Sequence, residues 1–240
     1  MKIQNEFSKN AKAYDHLKVI QKKVAEVLVC KISDDEPGSI LDIGCGSGGV
    51  YRSINWPLKK FVGIDFAEGM IALHPKEKNI ELFVRDFNDP ACFQGLKNSD
   101  FNRIISASAL QWAHDLDSTF QHITTLKAPV TLAIFTSGTF KTLHETASVP
   151  PLLHSAEEIK QLSKKYFNAE YEVLKYTLEF PSVRDMFRYM KKSGVGGARN
   201  ILGYKEMKTL MKNYPLNYLE YEILLIHEET LQRKQEKGSQ

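Results

Sequence analysis

One run of residues restricts the fold more than any other: Ser39-Ile40-Leu41-Asp42-Ile43 leads without a spacer into Gly44-Cys45-Gly46-Ser47-Gly48-Gly49. The first five residues have the length and apolar content of a buried strand, and Pro37-Gly38 breaks the chain just ahead of them. A strand that ends in closely spaced glycines and continues as a helix from about residue 49 must turn tightly at its carboxyl end. There the main chain lies open to a ligand, with no Cβ in the way.

The same alternation continues downstream. Strands are expected at 60–65, 80–84, 102–106 and 130–135, with helices at 67–73 and 116–126 and a loop-rich connection ahead of the fourth strand. Strands alternating with helices imply crossovers and a mainly parallel sheet covered on both faces, a doubly wound, Rossmann-like α/β fold. The first 36 residues lack strand character and read as two helices, the second supported by Val19, Val24, Val27 and Leu28. After Thr136 helices are expected at 139–148 and 155–165, a long strand near 170–180, helices at 182–192 and 204–213, and a last strand at 218–226. A closing pair beside five parallel strands makes a seven-stranded sheet, with 137–165 and 181–214 as helical insertions over the active-site end. The 240 residues, 42% apolar and 25% charged, suit one such domain, with 37–136 as its cofactor-binding core and 230–240 as a flexible tail.

Gly44, Gly46 and Gly49 also satisfy the Gly-x-Gly-x-x-Gly of dinucleotide binders, so the glycines alone leave the cofactor open. Asp42 bears on the choice. A carboxylate two residues before the first glycine repels a pyrophosphate, whereas S-adenosylmethionine has no phosphate and offers an ammonium and a sulfonium. Asp65, at the end of the second strand with Phe66 next to it, stands where a carboxylate can accept ribose hydroxyl protons. Asp86-Phe87 follows the third strand, where a carboxylate can accept from an adenine amino group and the next amide can serve a ring nitrogen. Ser106, ending the fourth strand, is a candidate donor to the cofactor. Asp42, Gly44, Gly46, Asp65, Phe66, Asp86, Phe87 and Ser106 are therefore the expected cofactor site, and S-adenosylmethionine its expected occupant.

Charge and cysteine usage narrow the partners. The net charge is only +3, but residues 181–214 hold eight cations, Arg184, Arg188, Lys191, Lys192, Arg199, Lys205, Lys208 and Lys212, against Asp185 and Glu206. On the helix at 182–192, Val183, Met186, Phe187 and Met190 make an apolar stripe and leave Arg184, Arg188 and Lys191 on another face. Cys30, Cys45 and Cys92 are widely spaced, and His144-Glu145 is followed by Ser148 where a zinc-protease motif needs its second histidine, so no metal is expected. No apolar run is long enough to span a membrane, and no apolar leader follows Met1, so a cytoplasmic protein is expected.

Over Ser39 to Phe135 the chain resembles the class I methyltransferases. Phe7-Ser8-Lys9-Asn10-Ala11-Lys12-Ala13-Tyr14-Asp15 with Gln21, Ala109-Leu110-Gln111-Trp112, Leu143-His144, Lys191 to Ala198, and Tyr214-Pro215-Leu216-Asn217-Tyr218 extend the likeness. Together they resemble one family of that class, the malonyl-acyl-carrier-protein O-methyltransferases of biotin synthesis. Two departures stand out: His74-Pro75 shortens the helix after Asp65, and residues 195–197 read Val-Gly-Gly where the family has Ile-Gly-Ala. The resemblance implies methylation of the free carboxylate of malonyl-acyl-carrier protein, or of malonyl-coenzyme A, with Tyr14, His144, Lys191 and Arg199 on the substrate side. It implies a monomer whose partner is an acidic carrier protein rather than nucleic acid. Ser106-Ala107-Ser108-Ala109 stands where amine-methylating nucleic-acid enzymes commonly carry a polar-Pro-Pro-aromatic run. Another small carboxylate or a quinone-type ring remains an open acceptor, because acceptor choice resides in the insertions.

Overall fold

The structure, a computed structural model, describes residues 19–96, 100–193 and 204–230. Seven strands form one sheet: β1 (Ser39–Ile43), β2 (Lys60–Asp65), β3 (Ile80–Val84), β4 (Arg103–Ala107), β5 (Val130–Phe135), β6 (Glu170–Glu179) and β7 (Tyr218–His227). Their order is β3-β2-β1-β4-β5-β7-β6. The first five are parallel, and β7 enters antiparallel between β5 and β6. The doubly wound, seven-stranded sheet expected from the sequence is thus present, and most strand bounds agree; β4 begins one residue later than expected.

The reason lies in burial. All six residues of β5 are buried, as a central parallel strand requires, whereas the edge strand β6 alternates exposed and half-buried positions over most of its length. In chain order the helices are α1 (Val19–Ile32), α2 (Gly49–Ser53), α3 (Glu68–Ile71), α4 (Ala91–Gln94), α5 (Leu116–Thr124), α6 (Lys141–Ala147), α7 (Ala156–Ser163), α8 (Val183–Ser193) and α9 (Tyr204–Asn213). α1 buries Ile20, Val24, Ala25, Leu28, Val29 and Ile32, the stripe that a period of 3.6 residues lays along one face. Asp115 caps α5 by accepting from the Ser118 amide, and Ser155 with Glu158 forms a reciprocal capping box on α7. α4 and a single 3₁₀ turn at Leu110–Trp112 were not expected; both are too short to show a periodicity.

Two apolar layers cover the sheet. One packs α1, α8 and α9 with Ile40, Phe61 and the β7 residues Leu219, Tyr221, Ile223 and Leu225; the other packs α4, α5 and α7 with Leu41, Ile43, Ile104 and Leu132. On α8, Met186, Phe187 and Met190 are buried while Arg184, Arg188 and Lys191 are exposed, as the stripe predicts. At the amino ends of the strands, Arg103 is fully buried and meets Asp35 at 2.7 Å and the Glu228 carbonyl at 2.6 Å. The expected first helix, Tyr14, Arg199 and the tail from 231 lie outside the described residues.

Candidate functional site

The strand order reverses between β1 and β4, and in open α/β sheets ligands bind outside the carboxyl ends at such a point. A cavity of about 1190 Å³ opens there. Its floor is the glycine turn after β1, where the Gly44 and Cys45 amides both donate to the Ile64 carbonyl, at 2.8 and 3.0 Å. Gly44 has φ of 77°, and a Cβ there would lie 2.2 Å from that of Ala109, so the turn needs both the left-handed backbone and the missing side chain. Gly46, also at positive φ, lines the cavity, and a Cβ on it would enter open space. The shortened helix after Asp65 is explained by His74, whose ring sits over Gly48 and against Tyr51 and Phe61.

Asp65 belongs to the cavity wall and is held in place by the main chain. Its Oδ2 accepts from the Gly46 amide at 2.9 Å and its Oδ1 from the Ala67 amide at 2.8 Å. Phe66 and Phe87 line the same cavity, as do Gly44, Gly46 and His144. Five of the eight expected cofactor residues are thereby brought together.

Three are not. Leu41 and Ile43 point into one apolar layer, so the alternation of β1 turns Asp42 to the opposite face, the one packed by α1, and Asp42 is not among the residues that line the cavity. Its carboxyl group is completely buried, with no hydrogen-bond partner for either oxygen among the described residues. Burial, reinforced by the neighbouring Asp65 charge, pushes its pKa up to about 8. The Asp42 carboxyl thus lies buried under the glycine turn's strand rather than exposed on the cavity wall. Asp86 is exposed, and its Oδ1 accepts from the Asn88 amide and side chain, a turn that seats Phe87 rather than a wall of the cavity. Ser106 is fully buried and donates to the Ile43 carbonyl at 2.7 Å, tying β4 to β1.

On the substrate side, His144 of α6 lines the cavity, with its Nδ1 buried and without a hydrogen-bond partner among the described residues. Burial holds its pKa below the usual histidine value, which favours the neutral ring. Lys191 is exposed and stands apart from the cavity lining. Other wall residues, Ser108, Gln111, Ser137, Thr139, Phe140 and Tyr221, carried no expected site role from sequence. Ser108 takes an uncommon φ of 61° for a residue with a side chain, and Gln111 donates to its carbonyl at 2.7 Å. Tyr221 reaches the site from a strand more than 75 residues downstream of His144, a distance no local pattern bridges. Among the described residues no group of three His, Cys, Asp or Glu side chains could hold a metal ion, and no helix is long and apolar enough to cross a membrane.

A family model described as a methyltransferase domain matches residues 40–129, the span from β1 to the start of β5. With the strand order and the glycine turn, it marks that span as a methyltransferase domain of class I, Rossmann-like architecture, the kind that uses S-adenosylmethionine as methyl donor. More particularly, the chain is 32% identical over 187 residues to the malonyl-[acyl-carrier protein] O-methyltransferase of Acetivibrio thermocellus, covering 74% of this chain and 64% of that protein. The chain thus spans less than two thirds of that relative's length. It is 28% identical over 243 residues to the enzyme of the same name from Geobacter sulfurreducens, covering 89% of this chain and 90% of that one. The fold is shared with the plantazolicin methyltransferase BamL, solved in complex with a triazolic desmethylPZN analogue and SAH, at 16% identity and a TM-score of 0.53, covering 93% and 91% of the two chains.

Proposed function

We propose that this protein transfers a methyl group from S-adenosylmethionine to the free carboxylate of a malonyl thioester carried by acyl-carrier protein, an early step of biotin synthesis. The observation that carries this reading is the likeness to malonyl-[acyl-carrier protein] O-methyltransferases, which extends over 89% of the chain in one relative and so takes in the substrate-side insertions. The cavity fits the donor: the Gly46 position is open space, and Asp65 is fixed by two amides at the cavity wall. Gly44, Gly46, Asp65, Phe66 and Phe87 would hold it. When bound, S-adenosylmethionine supplies an electrophilic methyl group on a positively charged sulfur.

The acceptor carboxylate is ionised at neutral pH, so no side chain has to remove a proton. Its oxygen would take the methyl carbon directly, with the electron pair of the broken carbon–sulfur bond left on a neutral thioether sulfur. Cation and anion thereby become two neutral products, which a wall of low polarity favours. Phe135, Phe140, Leu143 and Tyr221 provide such a wall, and neutral His144 can donate one hydrogen bond to the acceptor without the ground-state cost of a full ion pair. Tyr14 is assigned to the same substrate side. Lys191, Arg199, Arg184 and Arg188 are assigned to docking of the acidic carrier, where charge speeds encounter more than it deepens affinity.

The test is mass spectrometry of malonyl-acyl-carrier protein incubated with the enzyme and S-adenosylmethionine. A gain of one methylene mass that an esterase reverses, seen with malonyl but not acetyl carrier, is the expected outcome. Cofactor binding without that gain refutes the acceptor assignment.

A further inference from the structure

The rung of β5 and β7 beyond Phe135 is irregular, and the irregularity falls on the cavity. Phe135 pairs with Ile223, and the Thr136 amide donates to the Glu222 carbonyl at 2.9 Å, in register. The next such bond runs from the Phe140 amide to the Glu220 carbonyl, at 2.8 Å. Four steps along β5 therefore answer two along β7, and the surplus chain loops out as a bulge that brings Ser137 and Thr139 to the cavity. Phe140 then enters α6 in the left-handed region, at φ of 57°, and the helix presents His144. Bulges beside active sites re-aim side chains, and this one replaces ladder bonds with local ones, the Ser137 amide donating to the His154 carbonyl at 2.8 Å and the Thr139 amide to the Thr136 carbonyl at 2.9 Å.

Glu222 adds three further contacts, one through its carboxylate and two through its main chain. Its Oε1 accepts from the Thr136 hydroxyl at 2.6 Å, its amide donates to the Thr139 hydroxyl at 3.1 Å, and its carbonyl accepts from that hydroxyl at 3.0 Å. A Cβ on Gly138 would lie 2.5 Å from the Glu222 carboxylate, so the bulge closes directly onto this side chain. Lys175 on β6 meets the other carboxylate oxygen at 3.4 Å, which fixes the carboxylate in turn. Glu222 does not itself line the cavity, so any influence on turnover passes through the wall it fastens.

We propose that Glu222 is a positioning residue for the methyl acceptor, its carboxylate locking the 137–139 bulge so that the 137–144 wall meets the acceptor. This rests on the reading of that wall as the acceptor side. Displacing reacting groups by about 1 Å can cost about a hundredfold in rate. The expected result is that Glu222→Ala lowers kcat/KM for malonyl-acyl-carrier protein by about tenfold to a hundredfold. Its dissociation constant for S-adenosylmethionine should stay at the wild-type value, and Glu222→Gln, which keeps an acceptor for Thr136, should restore most of the loss. In a double-mutant cycle with His144→Ala, the two losses in kcat/KM should be less than multiplicative. Hydrogen exchange of the amides at 136–144, measured without any acceptor, should rise in Glu222→Ala.

Unchanged exchange over 136–144, or a variant that melts earlier yet keeps kcat and KM when assayed well below its melting temperature, overturns the proposal. A parallel loss of cofactor affinity overturns it as well. A wild-type enzyme that methylates no malonyl carrier refutes the acceptor assignment instead, and the exchange measurement still decides whether Glu222 locks the bulge.

Discussion

With both oxygens buried and unpartnered among the described residues, the Asp42 carboxyl keeps its proton to about pH 8 in the folded chain and loses it near pH 4 in the unfolded one. Between those values the folded state binds the extra proton, so this group's stabilising contribution is full below about pH 4 and fades as pH rises through about 8. The melting temperature of the cofactor-free protein should accordingly fall between pH 6 and 8.5, and Asp42→Asn, which is neutral throughout, should flatten that fall in a calorimetric pH series. Ser106 makes the complementary case. Losing its 2.7 Å bond to the Ile43 carbonyl removes a buried tie between β4 and β1, so Ser106→Ala should cost about 0.5–1.5 kcal/mol in denaturant unfolding. Its dissociation constant for S-adenosylmethionine, measured by titration calorimetry, should not move, because the hydroxyl faces β1 and not the cavity. Residue type alone does not distinguish these roles. An aspartate before a glycine turn reads as a ligand group until its burial is known, and a serine at a strand end reads as a donor until its acceptor is.

At the scale of elements, period and punctuation carried far. α1 and α8 present the stripes that their apolar spacing predicts, and β5 is buried along its whole length as an uninterrupted apolar run should be. Burial gives the exposed face of α8 its meaning: Arg184, Arg188 and Lys191 remain at the surface because Met186, Phe187 and Met190 occupy the core. Arg188 is paired with Asp185 on the same helix, so its charge is already partly offset. The double reversal Arg188→Glu with Lys191→Glu should reduce kcat/KM for carrier-linked malonate by about tenfold at low salt and by less at high salt. A short acyl thioester without the carrier should be turned over as before, and equal losses on both substrates would argue against docking on this face. Elements without a period, α4 and the 3₁₀ turn at Leu110–Trp112, left no trace in the sequence because one turn of helix repeats nothing.

For the whole molecule, the buried pair of Arg103 with Asp35 joins the end of α1 to the amino end of β4. Removing one partner strands a charge in the core, so Asp35→Ala should lower unfolding free energy by about 3–5 kcal/mol, with a drop of about 10 °C in melting temperature for a chain of this size. The strand-helix alternation, the sheet's parallel and antiparallel parts, the glycine turn and the carboxylate after β2 were all legible in the order of residues, since local periodicity and steric permission act within a few positions. Which side of the sheet Asp42 faces, that Asp86 closes a turn, and that the last strand returns Tyr221 to the far wall with Glu222 fastening it from outside were decided only by tertiary structure. Those outcomes depend on what other segments bury, and burial is settled when the chain closes on itself, not along its length.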